Sequence, residues 1–358
     1  MYPLLDDEAA TFFQFLQEVK IVKPELKIIR NKSLLILGAG SSYPYGYPTG
    51  NKLREDICLT LNKKFNEFKE IIIENWGYPD GHMILESYER NMYNLSKIFS
   101  KSNIPSIDLF LKLNPKFGEI GKLGIILTML SYEMECVDNG ELFGDEVKSK
   151  DWYSYLYRRS VENINDAYAF ENFKEVPLRI ITFNYDRSFE DFFYNSFVST
   201  FFEMNLNERF LNKKLIYRDY PLFNINHMYG QIAPLVWEDG GNNLAYKNKP
   251  KFFIKGLIDN IKVIGERTVP EEEKINELFN WADSIFFLGF GYHPENMKAL
   301  NLLKNIQKKH LIYGTGIGLR EMEISNVKQI FLEEYKKDYN QIYIENKDCL
   351  TLLRDYLY

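Results

Sequence analysis

The apolar run Ser33-Leu34-Leu35-Ile36-Leu37 stops abruptly at Gly38-Ala39-Gly40-Ser41-Ser42. A short uncharged run ended by glycines reads as a buried strand feeding a tight turn. Glycine carries no Cβ, so the N–H groups of such a turn can approach a phosphate, and a helix opening soon afterwards adds its positive end. The dehydrogenase fingerprint G-x-G-x-x-G places its third glycine three residues after the second. Here the next glycine is Gly46, six residues after Gly40, so that reading fits poorly. Taken alone, the glycine pair is equally a plain strand-to-helix connection.

The rest of the chain repeats the pattern. Strand character returns at residues 178–183, in a short extended run over 221–228, and at 284–288, 310–313 and 341–344. Helical periodicity fills 271–283, 295–308, 321–337 and 350–357. This alternation predicts an α/β fold, Rossmann-like, with a mainly parallel sheet and helices on both faces. Residues 62–176 are instead mostly helical, with amphipathic stretches around 65–73, 83–98, 120–137 and 152–173, and turn residues at 77–81, 103–105 and 139–140. The expected organisation is a helical extension at 1–32 (one helix over 7–20), a Rossmann-like domain from 33–61 and 177–358, and an inserted helical module at 62–176.

Composition narrows the chemistry. With 44 basic and 50 acidic residues the net charge is −6, and no Lys/Arg cluster is long enough for a nucleic-acid footprint, so direct nucleic-acid binding is not expected. Cys58, Cys136 and Cys349 are far apart and form no C-x-x-C pair, which argues against a zinc ribbon or a disulfide framework. No metal is expected. The first residues lack the layout of a signal peptide and no uncharged run approaches the ~20 residues that span a bilayer. A cytoplasmic protein with no membrane association is the expectation.

Polar residues gather where strands end. Asn184 and Asp186 follow the run 178–183, His227 closes another, and Gly289-Phe290-Gly291 with Asn296 follow 284–288. In open α/β sheets ligands bind at the carboxyl edge of the strands. An asparagine that orients a water or ribose hydroxyl, an aspartate that steadies developing positive charge and a histidine that accepts a proton suffice to break a glycosidic bond. Each also has a structural alternative. Asn184 and Asp186 can form an Asx turn capping the next helix, His227 can be a core histidine bonded to a carbonyl, and Gly289 to Gly291 can be a strand-terminating turn.

Taken together and in order, these motifs resemble the sirtuin family. Gly38 to Pro48 matches G-A-G-x-S-x-x-x-G-x-P, Thr182-Phe183-Asn184-Tyr185-Asp186 resembles T-x-N-x-D, and His227-Met228-Tyr229-Gly230 resembles H-x-x-G. The chain is more similar still to the divergent sirtuin-like domains of bacterial antiphage defence, which hydrolyse NAD. Pro48-Thr49-Gly50, Ser106-Ile107-Asp108-Leu109-Phe110 and the spacing from Gly289 to Asn296 carry that likeness. The four-cysteine zinc module and the D-F-R of the deacylating members are missing, and Arg54 does not fall at the matching position.

The resemblance implies an NAD+ glycohydrolase that releases nicotinamide and ADP-ribose and depletes NAD in defence. Asn184, Asp186 and His227 would be catalytic, with His227 as general base. Gly38, Ala39, Gly40, Ser41 and Ser42 would hold the pyrophosphate, with Pro48, Thr49 and Asp108 in the pocket wall; Gly289, Phe290, Gly291 and Asn296 would line the adenosine half. Asp108 is alternatively a helix cap or N-terminal charge, and Tyr43, Tyr45 and Tyr47 either a lid or packing. Control would come from homo-oligomer assembly or from a separate partner, an Argonaute-like protein or a ring-forming ATPase. The competing functions are a non-catalytic module that senses NAD or an NAD derivative, and an NAD-dependent protein deacylase.

Overall fold

The computed structural model describes residues 29–59, 61–76, 80–135, 149–162, 176–200, 225–238, 241–250 and 254–357. The helix expected over 7–20, most of the extension at 1–32, Cys136 and the end of the stretch 152–173 lie outside them.

Among the described residues six strands form one sheet: β1 (Ser33–Leu37), β2 (Leu178–Thr182), β3 (Asn226–His227), β4 (Ser284–Leu288), β5 (Leu311–Thr315) and β6 (Ile342–Glu345). Every pairing is parallel and the order is β3-β2-β1-β4-β5-β6. The molecule is therefore an α/β fold of the Rossmann-like, doubly wound kind, and the order reverses between β1 and β4. Successive side chains of a strand point to opposite faces, yet every residue of β1 and of β4 is buried. Both faces of the central strands are thus covered, as their unbroken apolar runs require.

Between β1 and β2 the described elements are all helical: α1 (Ala39–Ser42), α2 (Gly50–Leu59), α3 (Leu61–Glu67), α4 (Lys69–Trp76), α5 (Asp80–Lys101), α6 (Ile107–Leu113), α7 (Gly118–Glu135) and α8 (Trp152–Val161). Helix α7 is the centre of this module. Ile120, Leu123, Ile126, Leu127 and Leu130 on it are all buried, and α2, α3 and α5 pack around it. Each such side chain contributes ~1.5–3 kcal/mol of apolar burial. The single helix expected around 65–73 is instead two, because Phe68 N–H bonds Phe65 O in a tight turn and the ring is driven into the core.

The remaining helices are α9 (Ser188–Thr200), α10 (Ile254–Asn260), α11 (Val269–Trp281), α12 (Pro294–Ala299), α13 (Leu302–Asn305), α14 (Glu321–Glu333) and α15 (Cys349–Tyr356). The helix expected over 295–308 breaks at Asn301, whose φ of +49° is left-handed. Asn305 Nδ2 donates to Leu300 O at that break (2.8 Å). Helix α11 starts where Thr268 and Glu271 form a capping box with proline in the first turn.

Candidate active site

The two glycine turns meet at the reversal point. Gly38 N–H donates to Leu288 O (2.9 Å) and Gly40 N–H to Gly289 O (3.0 Å). A Cβ on Gly38 would lie 2.6 Å from Gly289 O, and one on Gly289, where φ is +57°, would lie 2.0 Å from Ser41 N. The glycines at 38, 40 and 289 are therefore what lets two stretches of backbone cross in contact. This revises the expectation for Gly38 and Gly40, whose N–H groups are engaged by carbonyls of the other turn. Helix α1 is a single turn, followed by the 3-10 turn Tyr43–Tyr45, which Gly46 closes with φ +88°. The extra spacing to Gly46 accommodates that turn.

The tyrosines after the glycines are divided between surface and core. Tyr43 is exposed, whereas Tyr45 stacks on Tyr153 with ring centres 3.7 Å apart and Tyr47 OH lies 2.7 Å from Tyr246 OH. Tyr45 and Tyr47 are packing residues. Pro48 is buried, and Thr49 Oγ1 accepts from Lys52 N–H at 3.4 Å as α2 opens.

Beside this crossing lies a polar corner. Strand β2 ends at Thr182, whose Oγ1 accepts Asn184 N–H (3.0 Å) and turns the chain so that the Asn184 side chain faces the first glycine turn. Asn184 Nδ2 donates to Ser41 Oγ (3.2 Å) and Ser42 Oγ (2.9 Å), while Asn184 Oδ1 is buried with no partner. Asp186 Oδ1 accepts the N–H and hydroxyl of Ser188, so Asp186 forms an Asx turn where α9 begins. Burial pushes the Asp186 carboxyl up to about 6, with Glu190 adding to the rise while Ser188 and Ser42 oppose it.

Strand β3 pairs with β2 so that His227 stands opposite Thr182. His227 Nδ1 lies 3.1 Å from Asn184 O and Nε2 lies 2.6 Å from Glu190 Oε1 on α9. Burial alone would depress the imidazole, but attraction to Glu190 and Glu238 outweighs it and the pKa is raised. Both nitrogens face acceptors. In this arrangement neither offers a lone pair to a substrate, which the general-base role needs.

A second cluster flanks the corner. Ser106 Oγ accepts Leu109 N–H (3.2 Å) and is the cap of α6, leaving Asp108 in the first turn. Tyr185 OH donates to Asp108 Oδ1, and Tyr229 OH donates to Asn296 Oδ1 (3.1 Å). Burial raises Asp108 to about 6 against the opposing Tyr185 bond. Phe183 packs edge-on against both Tyr229 (5.5 Å) and Phe290 (5.3 Å), so Phe290 is a buried core ring. Gly291 is exposed.

Two residue pairs were not foreseen in the sequence. Glu190 is one half of the first. The second is Arg187 with Glu133: both are fully buried, Arg187 Nε donates to Glu133 Oε2 (3.1 Å), and Arg187 also reaches Ala233 O and Leu244 O. This pair ties α7 of the helical module to the polar corner. Lys112–Glu295 (3.2 Å) and Trp152 Nε1 donating to Ser41 O (2.9 Å) add further links. Two further histidines have structural places: His310 is buried between Gln307 N–H and Phe279 O, and burial lowers it to about 4. His293 is exposed at the start of α12.

Among the described residues no group of His, Cys, Asp and Glu could hold a metal, and no helix is long and apolar enough to cross a membrane. Compared with known proteins, the chain matches no family model and no curated sequence.

Proposed function

We propose that this chain is an NAD+ glycohydrolase, cleaving the nicotinamide–ribose bond to give nicotinamide and ADP-ribose. The observation that carries the reading is Asn184 Oδ1. Its amide is oriented by two serine hydroxyls, and its oxygen is a buried acceptor without a partner beside the sheet's reversal point. A buried acceptor left open costs ~1–3 kcal/mol unless a donor arrives. A ribose hydroxyl or the attacking water is a donor of the required kind.

The residues present fit NAD+ well at the ribose end. There Asn184 Oδ1 would hold a hydroxyl or water, and the Asp186 carboxylate would favour positive charge developing on the ribose as the cationic nicotinamide leaves. They fit less closely at the phosphate end, where Gly38 and Gly40 N–H are engaged. Asp108, bonded to Tyr185, would form part of the pocket wall, and Asn296, bonded to Tyr229, would contact the adenosine half. NAD depletion in antiphage defence, and control by self-assembly or by an Argonaute-like or ATPase partner, extend the same reading from the sirtuin-like resemblance.

The engagement of both His227 nitrogens favours one rival, a module that binds NAD or a derivative without turnover. Incubation with NAD+ alone, with and without candidate partners, separates the two by assay of free nicotinamide. Release without acylated peptide is expected; saturable binding without release under every condition would establish the sensor instead.

A further inference from the structure

We propose that Glu190 is a positioning residue: it holds His227 as an imidazolium, and the imidazolium clamps the Asn184 backbone so that the Asn184 amide stays aimed at its ligand. The proposal rests on the reading of Asn184 as a ligand-binding residue. Its geometry is a three-link chain. Glu190 Oε1 stands 2.6 Å from His227 Nε2, His227 Nδ1 stands 3.1 Å from Asn184 O, and Asn184 Nδ2 bridges Ser41 and Ser42. An imidazole meets a carboxylate and a carbonyl at the same time only by carrying a proton on each nitrogen. A charge-assisted bond to a buried carboxylate is also stronger than a neutral one.

The charges around the ring support that state. Glu190 approaches from α9, Glu238 from the loop after β3, and the Asn184 carbonyl from the loop after β2; Asp186 lies next to Glu190. Glu190 and Glu238 are both buried, and Glu238 is itself held by Gln231 Nε2 (2.8 Å) and Leu235 N–H (2.8 Å). Arg187, which follows Asp186 in the chain, is paired with Glu133. Both ring nitrogens are taken up by Glu190 and the Asn184 carbonyl, so the histidine acts through Asn184.

The clamp and the general-base role predict opposite pH behaviour. A general base works once the imidazole loses its proton, so activity would rise with pH through the His227 pKa. A clamp works only while the ring is charged, so activity would fall on that alkaline side. The test compares the wild-type chain with Glu190→Gln, which keeps the shape and removes the charge, and with the exposed Glu272→Gln as control. Imidazole and side-chain amide nitrogen resonances are followed by NMR from pH 5 to 9, beside nicotinamide release.

His227 is expected to be doubly protonated at pH 7 in the wild type and to titrate at least ~1 pH unit lower in Glu190→Gln, a tenfold loss of proton affinity. The Asn184 amide signals should move with it, and the alkaline limb of nicotinamide release should shift by the same interval, with kcat rather than KM affected. A neutral His227 at pH 7, an unchanged titration in Glu190→Gln, or unmoved Asn184 signals overturns the clamp. If no nicotinamide is released at any pH, the hydrolase reading fails, while the resonances still decide the clamp.

Discussion

Two corners sit side by side at the carboxyl edge of the sheet, and they are built in opposite ways. The crossing of the Gly38 and Gly289 turns is closed: backbone meets backbone at van der Waals limits, and its N–H groups find carbonyls within the protein. The corner at the ends of β2 and β3 is polar and incomplete. It gathers buried Asn184, Asp186 and Glu190 beside half-buried His227, and one buried acceptor has no partner. An open buried acceptor is therefore found at the polar corner, whereas the N–H groups of Gly38 and Gly40 are satisfied. On the proposed reading the glycine turns would set the geometry and the polar corner would supply the chemistry.

The comparison can be broken most forcefully at Arg187. In Arg187→Met the Glu133 carboxylate remains buried without its cation, so a loss of ~3–5 kcal/mol is expected, read as a lower urea midpoint. Gly289→Ala probes the other corner. It forces a Cβ into Ser41 N at a left-handed φ and is expected to cost ~2–4 kcal/mol by the same measurement. If Gly289→Ala is neutral, the close crossing is not what the glycine is there for.

Asn184→Ala is expected to lower nicotinamide release ~100-fold, equivalent to ~2.7 kcal/mol of barrier, with less effect on the urea midpoint than Gly289→Ala. Unchanged release would remove the polar corner from catalysis. The smallest effect concerns pH. Asp186, Asp108 and Asp191 are each raised by burial to about 6, above an ordinary carboxyl. Between about 4 and 6 the folded chain thus binds protons that the unfolded chain has released, and these groups make stability fall as pH rises through that window. The raised His227 acts with the same sign at higher pH, its contribution present below the ordinary histidine value and lost above the raised one. Urea unfolding at pH 4.5 and 6.5 should show Asp186→Asn with a shallower pH dependence than the wild type, whereas the glycine crossing contains no titrating side chain that would alter it.

Much of this arrangement was legible in the chain itself. The apolar runs 33–37 and 284–288 became strands with those bounds, because a fully buried parallel strand needs apolar side chains on both faces and glycine where it turns. The order of strands and helices was enough for the α/β class and for the helical stretch between β1 and β2. Element ends were less legible: of the 221–228 run, residues 221–224 lie outside the described ones and the strand covers 226–227, while the helices at 65–73 and 295–308 each break where one residue's packing or φ overrides periodicity.

What tertiary structure decided was the company each polar residue keeps. Glu190 lies 37 residues from His227, and on helical periodicity it is one more acid near a helix start. Only the parallel pairing of β2 and β3 carries His227 to the edge where α9 begins, making the acid a buried partner. Glu133 and Arg187 are likewise unremarkable in their own segments and meet only because the fold brings the last turn of α7 to the start of α9. The sequence determined which residues can be buried in strands and where the chain must turn, since both depend on side-chain polarity and glycine's missing Cβ. Charges and hydrogen bonds depend on distance, and the fold alone set the distances between residues far apart along the chain.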